Sequence, residues 1–223
     1  MPLNRTLLDK EMDTVKENIL TMSNRVDAAL TGAMTALYQR DMQLAHKIIA
    51  EDEEINRLRY RAEQDSLLIL ATQAPAASDL RAVVAGIHIV VELERMGDHA
   101  AGIARLVERM EDEDEIASLH RLPKMEKQAH KMLNGTMEAF INHDADIAHA
   151  LIKRDDKIDK HYRRLFGELL EELNNDTTYA RRATFLMWVG HNLERFGDRA
   201  TNIAERVIFM CTGEYVEIIE EID

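Results

Sequence analysis

Cysteine is nearly missing from this chain: Cys211 is the single one in 223 residues. That excludes a disulfide framework and a thiolate metal site, and it makes a reducing compartment, the cytosol, the expected location. Aromatic residues reach only 5%, with 9 glycines and 3 prolines. Ala, Leu, Glu, Arg and Met dominate instead, which is the composition of an all-α chain, and no sheet is expected. Long apolar runs are also absent. The most apolar stretch, Ala82 to Val91, is about ten residues and contains His88, far short of the roughly 20 that span a bilayer. Arg5, Asp9, Lys10, Glu11, Asp13 and Lys16 interrupt the region where a signal peptide would need an apolar core, so the chain is expected to start near Met1 without direct membrane insertion.

Cations are the minority, 28 Lys and Arg against 41 Asp and Glu, for a net charge of −13. Such a surface repels a phosphate backbone, which excludes nucleic acid as a partner and argues against direct capture of free phosphate. It favours metal cations and basic partner surfaces.

What fills the chain is 46% apolar residues, recurring at steps of three and four, the spacing of amphipathic helices. The pattern predicts six. The first runs from about Leu3 to Gln39, with Val15, Ile19, Met22, Val26, Ala29, Ala33 and Leu37 on one stripe. Asp41 is placed to cap the second, which runs to about Thr72 through Ile48, Ile55, Leu58 and Leu70 and ends at Gln73-Ala74-Pro75. Ser78 and Asp79 are cap-type residues for the third, which continues to about Glu111. The acids of Glu111-Asp112-Glu113-Asp114-Glu115 read as a solvated linker. A fourth helix follows from about Pro123 to Asn142, a fifth from Asp144 to Leu173 and a sixth from Asp176 to Met210.

The second set of helices repeats the first. LERMGDHA, Leu93 to Ala100, returns as LERFGDRA, Leu193 to Ala200, 100 residues later. Gly32-Ala33-Met34 corresponds to Gly135-Thr136-Met137 and Ala45-His46 to Ala148-His149, both 103 residues on. The expected architecture is therefore two tandem antiparallel three-helix bundles, elongated, with a first unit over 1–111, an acidic linker over 112–122 and a second unit over 123–223.

The repeated motif carries the chemistry. Glu94 and Asp98, and again Glu194 and Asp198, stand one helical turn apart on one face, where like charges repel. Leu80, Val84, Ile87 and Val91 lead into the first pair at bundle spacing, and Ala180, Thr184, Met187 and His191 into the second. One Glu-x-x-x-Asp among 41 acids reads as a wet helix face with Arg95, Arg195 and Arg199 for ion pairs. Its recurrence, with Gly97 and Gly197 kept inside helices at about 1 kcal/mol each relative to Ala, points to close backbone approach and a shared purpose. On the middle helices, Asp52 with Asn56 and Asp155 with Asp159 form a second pair per unit. Each unit can thus gather four oxygen-bearing side chains, a set suited to iron, manganese, zinc or magnesium. His191, three residues before Glu194, is a possible extra ligand, whereas His99 points about 100° away from Asp98 and reads as exposed. No His-Glu-x-x-His, Ser-His-Asp order, phosphate loop or Glu-x-x-His pair is present, so no catalytic residue is assigned and no enzyme is expected.

LERMGDHAAGIARLV and LERFGDRATNIAERV, with Ser78-Asp79-Leu80-Arg81 upstream, resemble the PhoU family across essentially the whole chain. The resemblance implies a cytoplasmic regulator of phosphate uptake and homeostasis, often a homodimer, that represses phosphate-starvation genes. Its implied partners are the ATP-binding subunit of the phosphate ABC transporter and the sensor histidine kinase of the phosphate regulon. It further implies metal clusters, iron or zinc foremost with manganese or magnesium admissible, at Asp52, Glu94 and Asp98 in the first unit and Asp155, Asp159, Glu194 and Asp198 in the second. Asn56 departs from the pattern with a neutral amide, so the first site is expected to bind metal more weakly. A metal-dependent carboxylate enzyme and a metal-free helical adaptor are the competing readings.

Overall fold

The computed structural model describes residues 2–112, 119–153, 156–175 and 177–216. Among them every regular element is helical: α1 (Pro2–Gln39), α2 (Met42–Gln73), α3 (Ser78–Arg109), α4 (Leu122–Asn142), α5 (Ala145–Ile152), α6 (Asp156–Asn175) and α7 (Ala180–Thr212), the last preceded by a 3₁₀ turn at Thr177–Tyr179. The predicted stripe of α1 is buried from Val15 to Leu37. Asp41 caps α2 as expected, its Oδ1 accepting from the Leu44 amide at 2.9 Å. Asp144 does the same for α5, accepting from Asp146 and Ile147.

Two expectations need correction. Ser78 and Asp79 do not cap α3: Ala77 occupies that position at φ 48 without a side-chain bond, because Asp79 is drawn to Arg5 at 2.8 Å. The expected fifth helix forms in two segments, α5 and α6, with the Lys153 amide closing α5 on the carbonyls of His149 and Leu151. Lys153 is exposed, so its side chain adds no apolar contact that would hold α5 on the bundle beyond Ile152. Residues 113–118 of the acidic stretch, Arg154, Asp155 and Asp176 lie outside the described residues.

Helices α1, α2 and α3 run up, down and up, and α4, α5–α6 and α7 repeat the arrangement. The long axes of the two bundles lie side by side, since α3 packs antiparallel on α7 and α1 meets α4. Arg81 reaches the Met210 carbonyl at one end of the α3–α7 contact, and Arg181 the Arg109 carbonyl at the other. One apolar core runs through both halves. At 38 residues, α1 alone spans about 57 Å at ~1.5 Å per residue, giving the molecule its elongated shape.

The seam leading to the acids also differs from expectation. Leu80 is exposed and Val84, Ile87 and Val91 only half-buried; the buried stripe of α3 is Val83, Gly86, Val90, Leu93, Gly97, Ala100 and Ala104. Three helices contact α3, so its small residues face the core and the expected seam becomes the rim. Glu94 and Asp98 stand on that rim, beside α2.

Candidate metal centres

The first centre lies where α2 crosses α3. A Cβ at Gly97 would stand 3.0 Å from Ile55 Cδ1 and 3.4 Å from Asp52 Oδ1, so the glycine lets α2 settle against α3 and brings Asp52 beneath the acidic pair. Asp52 is 8% exposed, and its buried Oδ1 receives no hydrogen bond from a fixed donor. Burial, then the nearby charge of Asp98, raises its pKa against the opposing pull of Arg105, whose Nη2 is 3.9 Å from Oδ2. Burial followed by the Asp98 charge also raises Glu94, countered by Arg59 at 3.6 Å and by Arg95. Asn56 turns its amide back onto the Asp52 carbonyl at 3.4 Å. A desolvated, mutually repelling carboxylate set of this kind fits a cation, but two arginines already reach into it.

The second centre lies where α6 crosses α7. Asp159, Glu194 and Asp198 are half-buried and offer three carboxylate oxygens within 4.8 Å of one another. Such oxygens ligate divalent cations at about 2.0–2.6 Å, so this group needs only small side-chain shifts to close on one ion. Here the competing cation is Arg195, whose Nη1 donates to Asp198 at 2.8 Å and whose Nε is 3.8 Å from Glu194. His191 Nδ1 stands 3.7 Å from Glu194 Oε2, with Trp188 and Tyr162 beside the ring. Burial, with a further push from Arg195, lowers the His191 pKa against the pull of Asp198, favouring the neutral ring that ligates metals.

The two acidic pairs are thus each brought to a middle helix, and Asp52 and Asp159 reach them. Asp98 stays exposed. His99 corrects its reading as exposed: it is half-buried in the α3–α7 contact and bonds Asn192 at 3.2 Å. Arg195 pairs with the acids as the sequence suggests, whereas Arg59 and Arg105 enter the first site without a sequence expectation. Extending the three-and-four spacing from Asn56 to Arg59 and from Asp98 through Ala101 to Arg105 would have found these two.

A doubled three-helix unit that presents carboxylates from its middle and last helices in each copy defines a class of tandem-bundle proteins with paired acidic sites. The sequence matches the model of the PhoU domain twice, over residues 19–107 and 122–207, and the chain belongs to the PhoU family. It is 30% identical over 217 residues to the phosphate-specific transport system accessory protein PhoU homologue of Clostridium acetobutylicum, covering 97% of this chain and 99% of that one. The Pseudomonas aeruginosa homologue is 31% identical over 94% of this chain and 87% of its own length. Among solved structures, the phosphate transport system regulatory protein PhoU from Streptococcus pneumoniae superposes with a TM-score of 0.88 at 33% identity, covering 95% of this chain and 100% of that one. PhoU from P. aeruginosa gives 0.88 at 31% identity, covering 92% and 99%.

Proposed function

We propose that the chain is a cytoplasmic accessory regulator of phosphate transport that represses the phosphate-starvation response. It acts by binding rather than by catalysis, contacting the ATP-binding subunit of the phosphate ABC transporter and the sensor histidine kinase. A divalent or trivalent metal, iron or zinc foremost, shapes the acidic faces used for contact. The observation that carries this reading is the convergence of Asp159, Glu194 and Asp198 within 4.8 Å in a chain whose relatives are named for phosphate transport along nearly their full length. No helix among the described residues is long and apolar enough to cross a membrane, which agrees with action through a membrane-bound partner.

The residues divide the work. Asp159, Glu194, Asp198 and neutral His191 hold the metal in the second unit; Asp52, Glu94 and Asp98 hold it more weakly in the first, where Arg59 and Arg105 compete. Bound metal supplies positive charge and fixes the spacing of the middle and last helix of each unit.

The test is co-purification of the tagged protein with the transporter ATPase and the kinase from cells at high and low phosphate, with elemental analysis of the same samples. Recovery of one or both partners with metal, lost from the Glu94/Asp98/Glu194/Asp198 quadruple alanine variant, supports the reading. Recovery of neither partner overturns it, and metal-free protein with unchanged phosphate repression by the quadruple variant favours the plain helical adaptor.

A further inference from the structure

The acidic character of the chain is reversed along one face of the second unit. Lys124, Lys127 and Lys131 stand at steps of three and four along α4, and Lys157, Lys160 and Arg164 at the same steps along α6; all six are exposed. The two helices are antiparallel, their register fixed by Arg121 bonded to Glu168 at 2.6 Å and by Gly135, where a Cβ would meet Leu151. That register sets Lys124 beside Arg164 and Lys127 beside Lys160, so the two stripes form one ridge, bordered by an open groove of about 830 Å³ along α4 and α5. Each stripe covers about 10 Å at ~1.5 Å per residue.

None of the six forms an ion pair among the described residues. At the centre, His161 Nδ1 is buried without a hydrogen-bond partner. The first unit shows what a structural face looks like at these positions. Its equivalents are Thr21, Asn24, Ala28, Glu54, Arg57 and Arg61, and Arg57 is neutralised by Glu53 and Glu54. Uncompensated like charges at these spacings cost stability without a counter-charge.

We propose that the α4–α6 ridge is a docking surface for a short acidic segment of a partner protein. Its length suits a few carboxylates. A bilayer or a long nucleic acid would extend past the ridge onto Glu171 and Glu172, which follow on α6, and onto a chain of net charge −13. A lone phosphate would engage only part of it.

The proposal is tested with fluorescein-labelled decaglutamate titrated into the full chain at low and physiological salt. The Lys124→Glu/Lys127→Glu/Lys160→Glu variant is compared with Arg57→Glu/Arg61→Glu as control; all five substituted side chains are exposed, and circular dichroism verifies the fold. The expected result is salt-sensitive binding to the wild-type chain, weakened about tenfold or more in the ridge variant and unchanged in the control. In the wild-type chain the His161 ring resonances shift on binding as acidic groups approach the side chains around it. No binding, or equal binding by wild type and ridge variant, overturns the proposal. Displacement of the peptide by lower concentrations of tripolyphosphate or of phosphatidylglycerol vesicles also overturns it, in favour of a small anion or a membrane.

Discussion

Glu92 on α3 accepts from Arg199 on α7 at 3.3 Å, and its Oε2 also takes the amide of Asn202 at 3.1 Å. The residues one repeat away make the same crossing: Asn192 meets His99 at 3.2 Å and packs on Gly102, where a Cβ would lie 2.8 Å from its Oδ1. The α3–α7 contact therefore carries an approximate two-fold axis, with a charged bond on one side and a neutral one on the other. Glu92→Ala should strand Arg199, which is 20% exposed, and cost about 1–3 kcal/mol. Asn192→Ala, which loses the neutral bond to His99 and a local one to the Trp188 carbonyl, should cost about 1 kcal/mol. Urea unfolding of the two variants compares them, and equal midpoints would remove the charged bond from the account.

The close approach at Gly97 is a packing statement with its own consequence. Gly97→Val pushes branched carbons into Ile55 and Asp52, and overpacking of this kind costs about 1–3 kcal/mol. It should also reduce metal uptake at the first centre while sparing the second. A Gly97→Val chain with unchanged unfolding midpoint would show that α2 and α3 are not held together there.

In the metal-free protein, Asp52 and Glu94 have pKa values raised by burial and by the Asp98 charge. A carboxylate whose folded pKa is raised binds protons more readily in the folded state, so its stabilising effect is present at low pH and is lost as pH rises through the folded value. Chelated protein should therefore lose stability between the ordinary carboxylate range and neutrality, and Asp52→Asn should flatten that loss. Thermal melts from pH 4 to pH 7 read it; a chelated wild-type chain whose melting temperature rises steadily across that interval contradicts the assignment.

Trp188 is the only tryptophan in the chain and stands 5.9 Å from His191, edge to face. Ferrous iron added to chelated protein should quench its fluorescence through the second centre. The quenching should vanish in Glu194→Ala and survive in Asp98→Ala. Quenching of equal size in both variants would place the ion elsewhere.

Much of this was legible in the residues. Duplication, the three-helix plan of the first unit, the α1 stripe and the cap at Asp41 follow from periodicity and from a short polar side chain before a helix. The cap at Ser78 misled because Arg5, 74 residues away, competes for Asp79, a tertiary contact no local pattern carries. The seam ending on Glu94 misled for a similar reason: three neighbours around α3 rotate its buried face to Val83, Val90, Leu93 and Gly97 and leave Leu80, Val84, Ile87 and Val91 on the rim. The neutral amide of Asn56 is the residue-level ground for expecting a weaker first site. Arg195 was legible as a neighbour of Glu194 and Asp198, whereas Arg59 and Arg105 reach the first cluster only through helical spacing that has to be carried past the motif and across to the neighbouring helix.

Of the two acidic centres, the one with Asp159, Glu194 and Asp198 brings its carboxylate oxygens within 4.8 Å of one another, and we propose that it binds metal the more strongly. Metal content of Asp98→Ala and Asp198→Ala, purified side by side and measured by elemental analysis, tests this most directly. The account predicts that Asp98→Ala keeps the larger share of the wild-type metal because its second centre is intact. Equal residual metal in the two variants, or a larger share in Asp198→Ala, would contradict it.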